Sequence, residues 1–170
     1  MSEVNLIYKI TALDLLSKAD FALSNKQITE FFISGNYTDY FNIQQILNDL
    51  VDSSMVAKEQ SANETTYKIT AEGLDTLSLF QERLTESIEE DIKNFFQKNG
   101  LEMRKENSIT SNYYPSTTGG YYVHLHMAEE QRSVMDFTFH VANEEQAKSI
   151  CTNWRSNYEN VYFSLLENLM

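Results

Sequence analysis

The 170-residue sequence predicts an α+β protein, and the spacing of its apolar residues is the main reason. Up to about residue 100, most apolar residues recur three or four positions apart, which is the spacing of helices with one buried face. Beyond Asn99 and Gly100 the period changes to two, as in strands with one buried face, and a last helical stripe follows. We therefore expect a helical first part and a strand-rich second part, with the boundary near residue 100.

Three helices are predicted before residue 55. The first covers 5–19, and the second follows a capping box in which Ser24 and Gln27 would satisfy each other's backbone N–H groups. Gly35 is predicted to end the second helix in a left-handed backbone conformation. Asn42 and Gln45 are predicted to cap the third helix. The buried faces are Leu6, Ile10, Leu13 and Leu16 in the first helix, Ile28, Phe31 and Phe32 in the second, and Ile43, Ile46, Leu47, Leu50 and Val51 in the third.

Two short alternating segments, 55–60 and 65–70, follow the third helix and predict a hairpin. Thr70 and Thr85 are each placed to cap a further helix. The apolar positions of these two helices also suit a dimer interface, although an intramolecular core would give the same pattern. They are Leu74, Leu77, Phe80, Leu84, Ile88, Ile92, Phe95 and Phe96.

Three helices, a two-stranded hairpin and another helix form the element order of a winged helix-turn-helix unit. The hairpin exit, TTYKITAEGLDTL, resembles the Tyr-x-Ile-Thr-x-x-Gly-x-x-x-Leu run of winged-helix regulators. Over nearly its whole length the chain is similar to a small uncharacterised winged-helix family of low-GC Gram-positive bacteria, which itself resembles PadR- and MarR-type regulators. The resemblance implies a bacterial winged helix over 1–84, a connecting helix over 85–100 and an antiparallel sheet with a C-terminal helix over 101–170. It implies no biochemical role, because the family has none assigned.

A winged helix that binds DNA inserts its third helix into the major groove and places its wing against the backbone or the minor groove. The amides of Gln44, Gln45 and Asn48 suit this role, because each offers a donor and an acceptor to adenine. The candidates for phosphate contacts are Thr38, Tyr40, Lys58, Thr65, Thr66 and Lys68. These amides are equally typical of a solvated helix face, and that interpretation stays open.

The charge of the chain opposes DNA binding. The 13 Lys and Arg residues stand against 25 Asp and Glu residues, which gives a net charge of −12, and the third helix contains no basic residue. Phosphate neutralisation supplies most non-specific affinity, so we expect weak, salt-sensitive binding to double-stranded DNA, strengthened if a homodimer engages two half-sites. The first hypothesis is a dimeric transcriptional regulator. The alternative is a winged-helix protein–protein interaction module that does not bind DNA.

The second half predicts strands over 101–114, 121–127 and 135–141, the last two forming a hairpin, and then a helix capped by Asn143 and Gln146. The helix would cover the sheet, and a spare part of its apolar stripe would suit a partner subunit. We assign this half to dimerisation or ligand sensing. The stripe comprises Ala147, Cys151, Trp154, Tyr158, Val161 and Leu165, widened by Ile150, Tyr162 and Leu169.

The histidines of the second half lie on the face opposite the apolar set. Keeping the apolar faces together places His124 across from Asp136 and leaves His140 too far along its strand to join a metal site with the other two. A weak site of His124, His126 and Asp136 stays open, but a solvated surface is favoured. Four tyrosines near the glycine turn could line a pocket, although packing at the sheet edge is favoured: Tyr113, Tyr114, Tyr121 and Tyr122.

No pattern indicates an enzyme, a metal site or a cofactor. The single cysteine, Cys151, lies on the buried stripe of the last helix, which is typical of an inert core thiol. One cysteine excludes an intramolecular disulfide, and the sequence contains neither a leader-like start nor a long apolar run. We therefore expect a cytoplasmic protein with no membrane association.

Overall fold

The computed structural model of the protein describes residues 3–61, 64–130 and 132–170, and its mixture of helices and antiparallel sheets confirms the α+β prediction. The backbone contacts divide it into two compact units, the first comprising the chain up to Gln60 with Glu64–Leu101 and the second comprising Glu102–Met170. The elements are α1 (Glu3–Lys18), β1 (Leu23–Ser24), α2 (Asn25–Ser34), α3 (Tyr40–Asp52), β2 (Val56–Gln60), β3 (Thr65–Ile69), α4 (Ala71–Phe80), a 3₁₀ turn (Gln81–Arg83), α5 (Glu86–Ser108), β4 (Ile109–Pro115), β5 (Tyr121–Glu129), β6 (Arg132–Val141) and α6 (Glu144–Leu169).

The first unit contains α1 to α4, the greater part of α5 and a small antiparallel sheet of order β1-β3-β2. The short strand β1 pairs with β3, which the sequence did not predict, and the hairpin β2–β3 pairs from Val56–Ile69 to Gln60–Thr65. Helix α1 is buried on more than one face, because even Asp14 is enclosed, with its carboxylate 2.7 Å from Lys18. This unit therefore has the predicted order of three helices, a hairpin and a further helix.

The caps explain where the helices of the first unit begin. The predicted capping box before α2 is confirmed, since the Ser24 side chain accepts from Gln27 and Gln27 accepts from the Ser24 backbone. The predicted cap of α3 is wrong: the helix begins earlier, because the Asp39 carboxylate accepts from the Asn42 N–H at 2.9 Å. Gly35 is right-handed at φ −77, and the left-handed residue is Asn36 at φ 55.

The second unit is a sheet of order β4-β5-β6 with α6 packed on one face. The single tryptophan, Trp154, is 3% exposed and donates its indole N–H to the His126 carbonyl at 3.2 Å. The buried core of this unit comprises Val123, Leu125, Met135, Ala147, Cys151 and Trp154. Asn143 caps α6 as predicted, whereas the Gln146 side chain accepts from Ala142 and not from the cap itself.

Two predictions for the second half are wrong. The segment before Ser108 is not a strand but the last turns of α5, because Gly100 is tolerated in that helix and the residues after it include good helix formers such as Glu102 and Arg104. The register of β5 and β6 is displaced by two residues, so that Val123 pairs with Phe139 and not with Phe137. Alternation cannot select between these two registers, because a displacement of two residues leaves every side chain on the same face of the sheet. The ladder also has an irregularity next to Met127.

Among the described residues, no helix combines the length and the apolar character that crossing a bilayer requires.

Candidate nucleic-acid interface

Helix α3 has one buried face and one outward face. Its buried side chains are those of Ile43, Ile46, Leu47 and Leu50, which anchor the helix in the core of the first unit. On the outward side Gln45 and Asn48 are exposed, and they lie three residues apart on neighbouring turns. The outward face of α3 can therefore present two amides to a partner.

The first turn of α3 exposes two aromatic side chains, of which Phe41 shares a face with Gln45 and Asn48 by its spacing. Tyr40 is 51% exposed and Phe41 is 83% exposed, and their rings meet edge to face with centroids 5.9 Å apart. Phe41 is the most exposed phenylalanine that the structure describes. The predicted cap at Asn42 left Phe41 outside the helix, so Phe41 was not among the predicted contact residues. Recognising Asp39 as the cap would have placed Phe41 in the first turn of the helix.

Gln44 differs from the other two amides, because its side chain is half-buried and bonded to residues of another helix. Its oxygen accepts from Asn25 at 2.8 Å, and its nitrogen donates to Asn25 at 3.1 Å and to Thr29 at 3.2 Å. Asn25 also donates to the Tyr67 hydroxyl at 3.3 Å. This amide pair joins α2, α3 and β3, so the geometry gives Gln44 a role in holding the two helices together.

Gln45 belongs to a charged network on the next turn. Its nitrogen donates to the Asp49 carboxylate at 2.8 Å, and Lys9 of α1 lies 2.7 Å from the same carboxylate. The hydrogen bonds from Lys9 and then from Gln45 lower the pKa of Asp49 below its usual range. Asp49 therefore stays anionic at neutral pH beside the exposed amides, which reduces the attraction of this face for phosphate.

The two lysines of the hairpin point to opposite faces. Lys58 pairs with the buried Tyr67, whereas Lys68 pairs with Ala57, and neighbouring residues of a strand alternate between faces. Thr65 and Thr66 are half-buried, and Thr66 pairs with both Ser24 and Glu59. A DNA duplex bound on one side of the hairpin would therefore contact one of the two lysines more directly than the other.

The turn that leads into α3 is held from two sides. The Thr38 hydroxyl accepts from the Asn42 side chain at 2.8 Å, which engages this predicted phosphate contact locally. Tyr37 stacks on Phe31 with centroids 5.5 Å apart and donates its hydroxyl to Asp91 of α5 at 2.5 Å. Burial, and next the hydrogen bond to Asp91, raise the pKa of Tyr37 well above its ordinary value.

One cation was missed as a candidate. Lys26 is exposed in the first turn of α2, directly after the Ser24 cap. The partial positive charge of a helix N-terminus attracts phosphate, so a lysine at this point adds to an existing field. The cap spacing was the available signal, because it places residue 26 in the first turn.

In the second unit, one histidine is paired with a carboxylate and the cysteine is buried. His124 lies 2.7 Å from Asp136 through its Nε2 atom, although the register pairs it with Thr138, so the predicted proximity is diagonal. Within the described residues, no three His, Cys, Asp or Glu side chains converge as metal ligands. Burial raises the pKa of the Cys151 thiol, which keeps it protonated and unreactive.

The comparison with protein families decides the membership of the chain. A model described as a domain of unknown function, DUF4364, matches residues 8–169. The chain belongs to the DUF4364 family. No curated protein and no solved structure matches the sequence significantly, so the DUF4364 family itself is the relationship that the comparisons establish.

Proposed function

We propose that the first unit of this DUF4364 protein is a winged-helix domain that binds double-stranded DNA as a transcriptional regulator related to the PadR and MarR types. The observation that carries the proposal is the outward face of α3, which follows a short turn after α2 and exposes Gln45 and Asn48. The sheet order β1-β3-β2 beside these helices supports the same interpretation.

Base contacts would supply more of the affinity than phosphate contacts do. Gln45 and Asn48 offer donor–acceptor pairs worth roughly 1–3 kcal/mol of discrimination each, whereas α3 contains no basic residue. The cations available to phosphate on α2 and the hairpin are Lys26, Lys58 and Lys68. Even if all three contacted phosphates, the log–log salt slope would reach only about −3 per protomer, which is shallow for a DNA-binding protein.

The test is fluorescence anisotropy of the full chain on a genomic or random duplex DNA pool at several salt concentrations. We expect sequence-selective binding with a slope no steeper than about −3 per protomer. Lys68→Ala should reduce the slope by about 1, and Asn48→Ala should relax base selectivity. Lys148→Ala is the matched control, because it removes an exposed lysine from α6 of the second unit. Absence of binding at low salt would overturn the proposal.

A second candidate function is a protein-interaction module, and the exposed pair Tyr40 and Phe41 favours it. They directly follow the Asp39 cap in the sequence, and the chain has no lysine or arginine between Lys26 and Lys58. Aromatic faces with nearby carboxylates attract arginine-containing protein surfaces more than they attract phosphate. This candidate predicts that Phe41→Ala abolishes capture of a protein partner, whereas a DNA reader would keep part of its DNA affinity.

A further inference from the structure

The C-terminal half of α6 leaves apolar surface uncovered by its own sheet. Ala147, Cys151 and Trp154 are buried, but no described residue of α6 after Trp154 is buried. Val161 is 36% exposed and Leu169 is 80% exposed in this half. A helix that covers a sheet with its first turns and continues with exposed apolar residues is unusual in a free monomer.

Two adjoining depressions follow this surface. The first, of about 440 Å³, lies between β6 and α6, and the second, of about 520 Å³, continues along α6 toward its end. The first is lined by Leu125, Phe137, Phe139, Ile150, Asn153, Trp154, Asn157, Val161 and Leu165, and the second by Asn157, Asn160, Val161, Ser164, Leu165, Asn168 and Leu169. Asn157, Val161 and Leu165 belong to both, so the depressions form one groove, which we call the α6 groove.

The chemistry of the α6 groove restricts what it can hold. None of its described lining residues carries a charge, although the chain as a whole has a net charge of −12. A nucleic acid or a strongly basic segment would find no ionic partner there. Two copies of one acidic chain repel each other, so they are best brought together through a face that carries no charge.

We propose that the α6 groove is the surface through which two copies of this chain dimerise, with the two α6 helices antiparallel. The lining positions on α6 recur three or four residues apart from Ile150 to Leu169, as the seam of a helix pair requires. A two-fold axis crossing the helix at the level of residue 159, midway between Asn157 and Val161 and one residue from Asn160, places Val161 of each copy opposite Asn157 of the other. The same axis brings Leu165 to the partner's copy of Asn153.

The asparagines give the α6 groove polar groups as well as apolar ones. Each amide has two donors and an acceptor, so an asparagine in the seam can hydrogen-bond to polar groups of the second copy. Polar residues in an apolar helix seam also fix register and orientation. Nine residues line the first depression and seven the second, which is fewer than the roughly 20–30 residues a side of a standard interface. The dimer should therefore dissociate on dilution.

The experiment is sedimentation velocity of the full chain over a wide concentration range, with Val161→Asp and Leu166→Asp as a matched pair. Val161 lines the α6 groove and is 36% exposed, whereas Leu166 is 39% exposed on the same helix and lines neither depression. We expect a reversible monomer–dimer equilibrium that Val161→Asp shifts at least tenfold toward monomer and Leu166→Asp leaves unchanged. The far-UV circular dichroism and Trp154 fluorescence of both variants should match those of the parent chain.

A cross-linking measurement tests the axis without relying on a destabilising charge. Asn160→Cys, close to the axis, should form an intermolecular disulfide under mild oxidation, because the one natural cysteine is buried. Glu144→Cys, at the start of α6, should not form one. A parent chain that stays monomeric, equal effects of Val161→Asp and Leu166→Asp, or cross-linking at residue 144 in preference to residue 160 would each overturn the proposal.

Discussion

Two glycines in helices provide a direct test of how the first unit is packed. Gly73 lies in the first turn of α4, where its backbone N–H is bonded to the Thr70 cap at 3.1 Å. A Cβ atom at residue 73 would lie 2.1 Å from the Met55 carbonyl oxygen and 2.7 Å from the Ile69 side chain. Gly100 lies inside α5, and a Cβ atom there would have no neighbour within 4 Å.

These geometries predict opposite effects of alanine. In Gly73→Ala the carbonyl of Met55 must move, and that carbonyl accepts from the Thr70 N–H at 3.1 Å. Overpacking costs about 1–3 kcal/mol and a weakened hydrogen bond about 1 kcal/mol, against a helix-propensity gain of about 0.5–1 kcal/mol. We expect a net loss of roughly 1–3 kcal/mol in the free energy of unfolding. Gly100→Ala should gain about 0.5–1 kcal/mol.

The assay is urea unfolding followed by far-UV circular dichroism. With a slope of about 1–3 kcal/mol per molar urea, a loss of 2 kcal/mol lowers the midpoint by about 1 M. Gly100→Ala should raise the midpoint slightly, because the substitution removes backbone entropy from the unfolded chain and meets no obstacle in the folded one. A Gly73→Ala midpoint equal to or above that of the parent chain would refute the close packing of α4 against the start of β2.

Three further predictions follow from individual contacts. Gln44→Ala should lower the free energy of unfolding by about 1–3 kcal/mol in urea titrations, because it leaves the Asn25 amide without two of its bonds. Gln45→Ala, at an exposed position, should change this free energy by less than about 0.5 kcal/mol, and equal effects of the two substitutions would contradict the assigned roles. Tyr37 keeps its proton in the folded state above pH 10.0, where an unfolded tyrosine loses it, so the free energy of unfolding should fall as the pH rises past this value. Tyr37→Phe should reduce that fall, and parallel pH profiles of the variant and the parent chain would argue against the bond to Asp91. The Cys151 thiol should react with a disulfide reagent only as fast as the second unit opens, and immediate reaction in native buffer would show that it is not buried.

Local patterns predicted most of the secondary structure. The Ser24 capping box, the Thr70 cap and the buried stripe of α3 each depend on residues within about four positions of one another, and all three are confirmed except that Val51 of the stripe is only half-buried. The last helix and the hairpin of the second unit were predicted for the same reason. Helical and strand periods describe which side of an element is apolar, so they also predicted an α+β fold.

The wrong predictions fall where two local signals competed or where residues distant in sequence determined the structure. Asp39 and Asn42 are both good caps, and the sequence does not say which of them the chain uses. Gly100 was interpreted as a helix end because glycine is a poor helix former, but α5 continues for two further turns with open space beside it. The predicted and observed registers of β5 and β6 differ by two residues, and alternation cannot distinguish them because both keep the same side chains on the same face.

The sequence by itself determined the fold class, the charge of −12 and the residue types available to any partner, because these follow from composition and short-range spacing. Only the tertiary structure decided which of those residues are available. Gln44 is held by Asn25 of α2, whereas Phe41 is left in solvent, and neither outcome can be deduced from the neighbours of these residues in the chain. Burial and hydrogen bonding are set by contacts between elements distant in sequence, and these contacts determine which surface a partner meets.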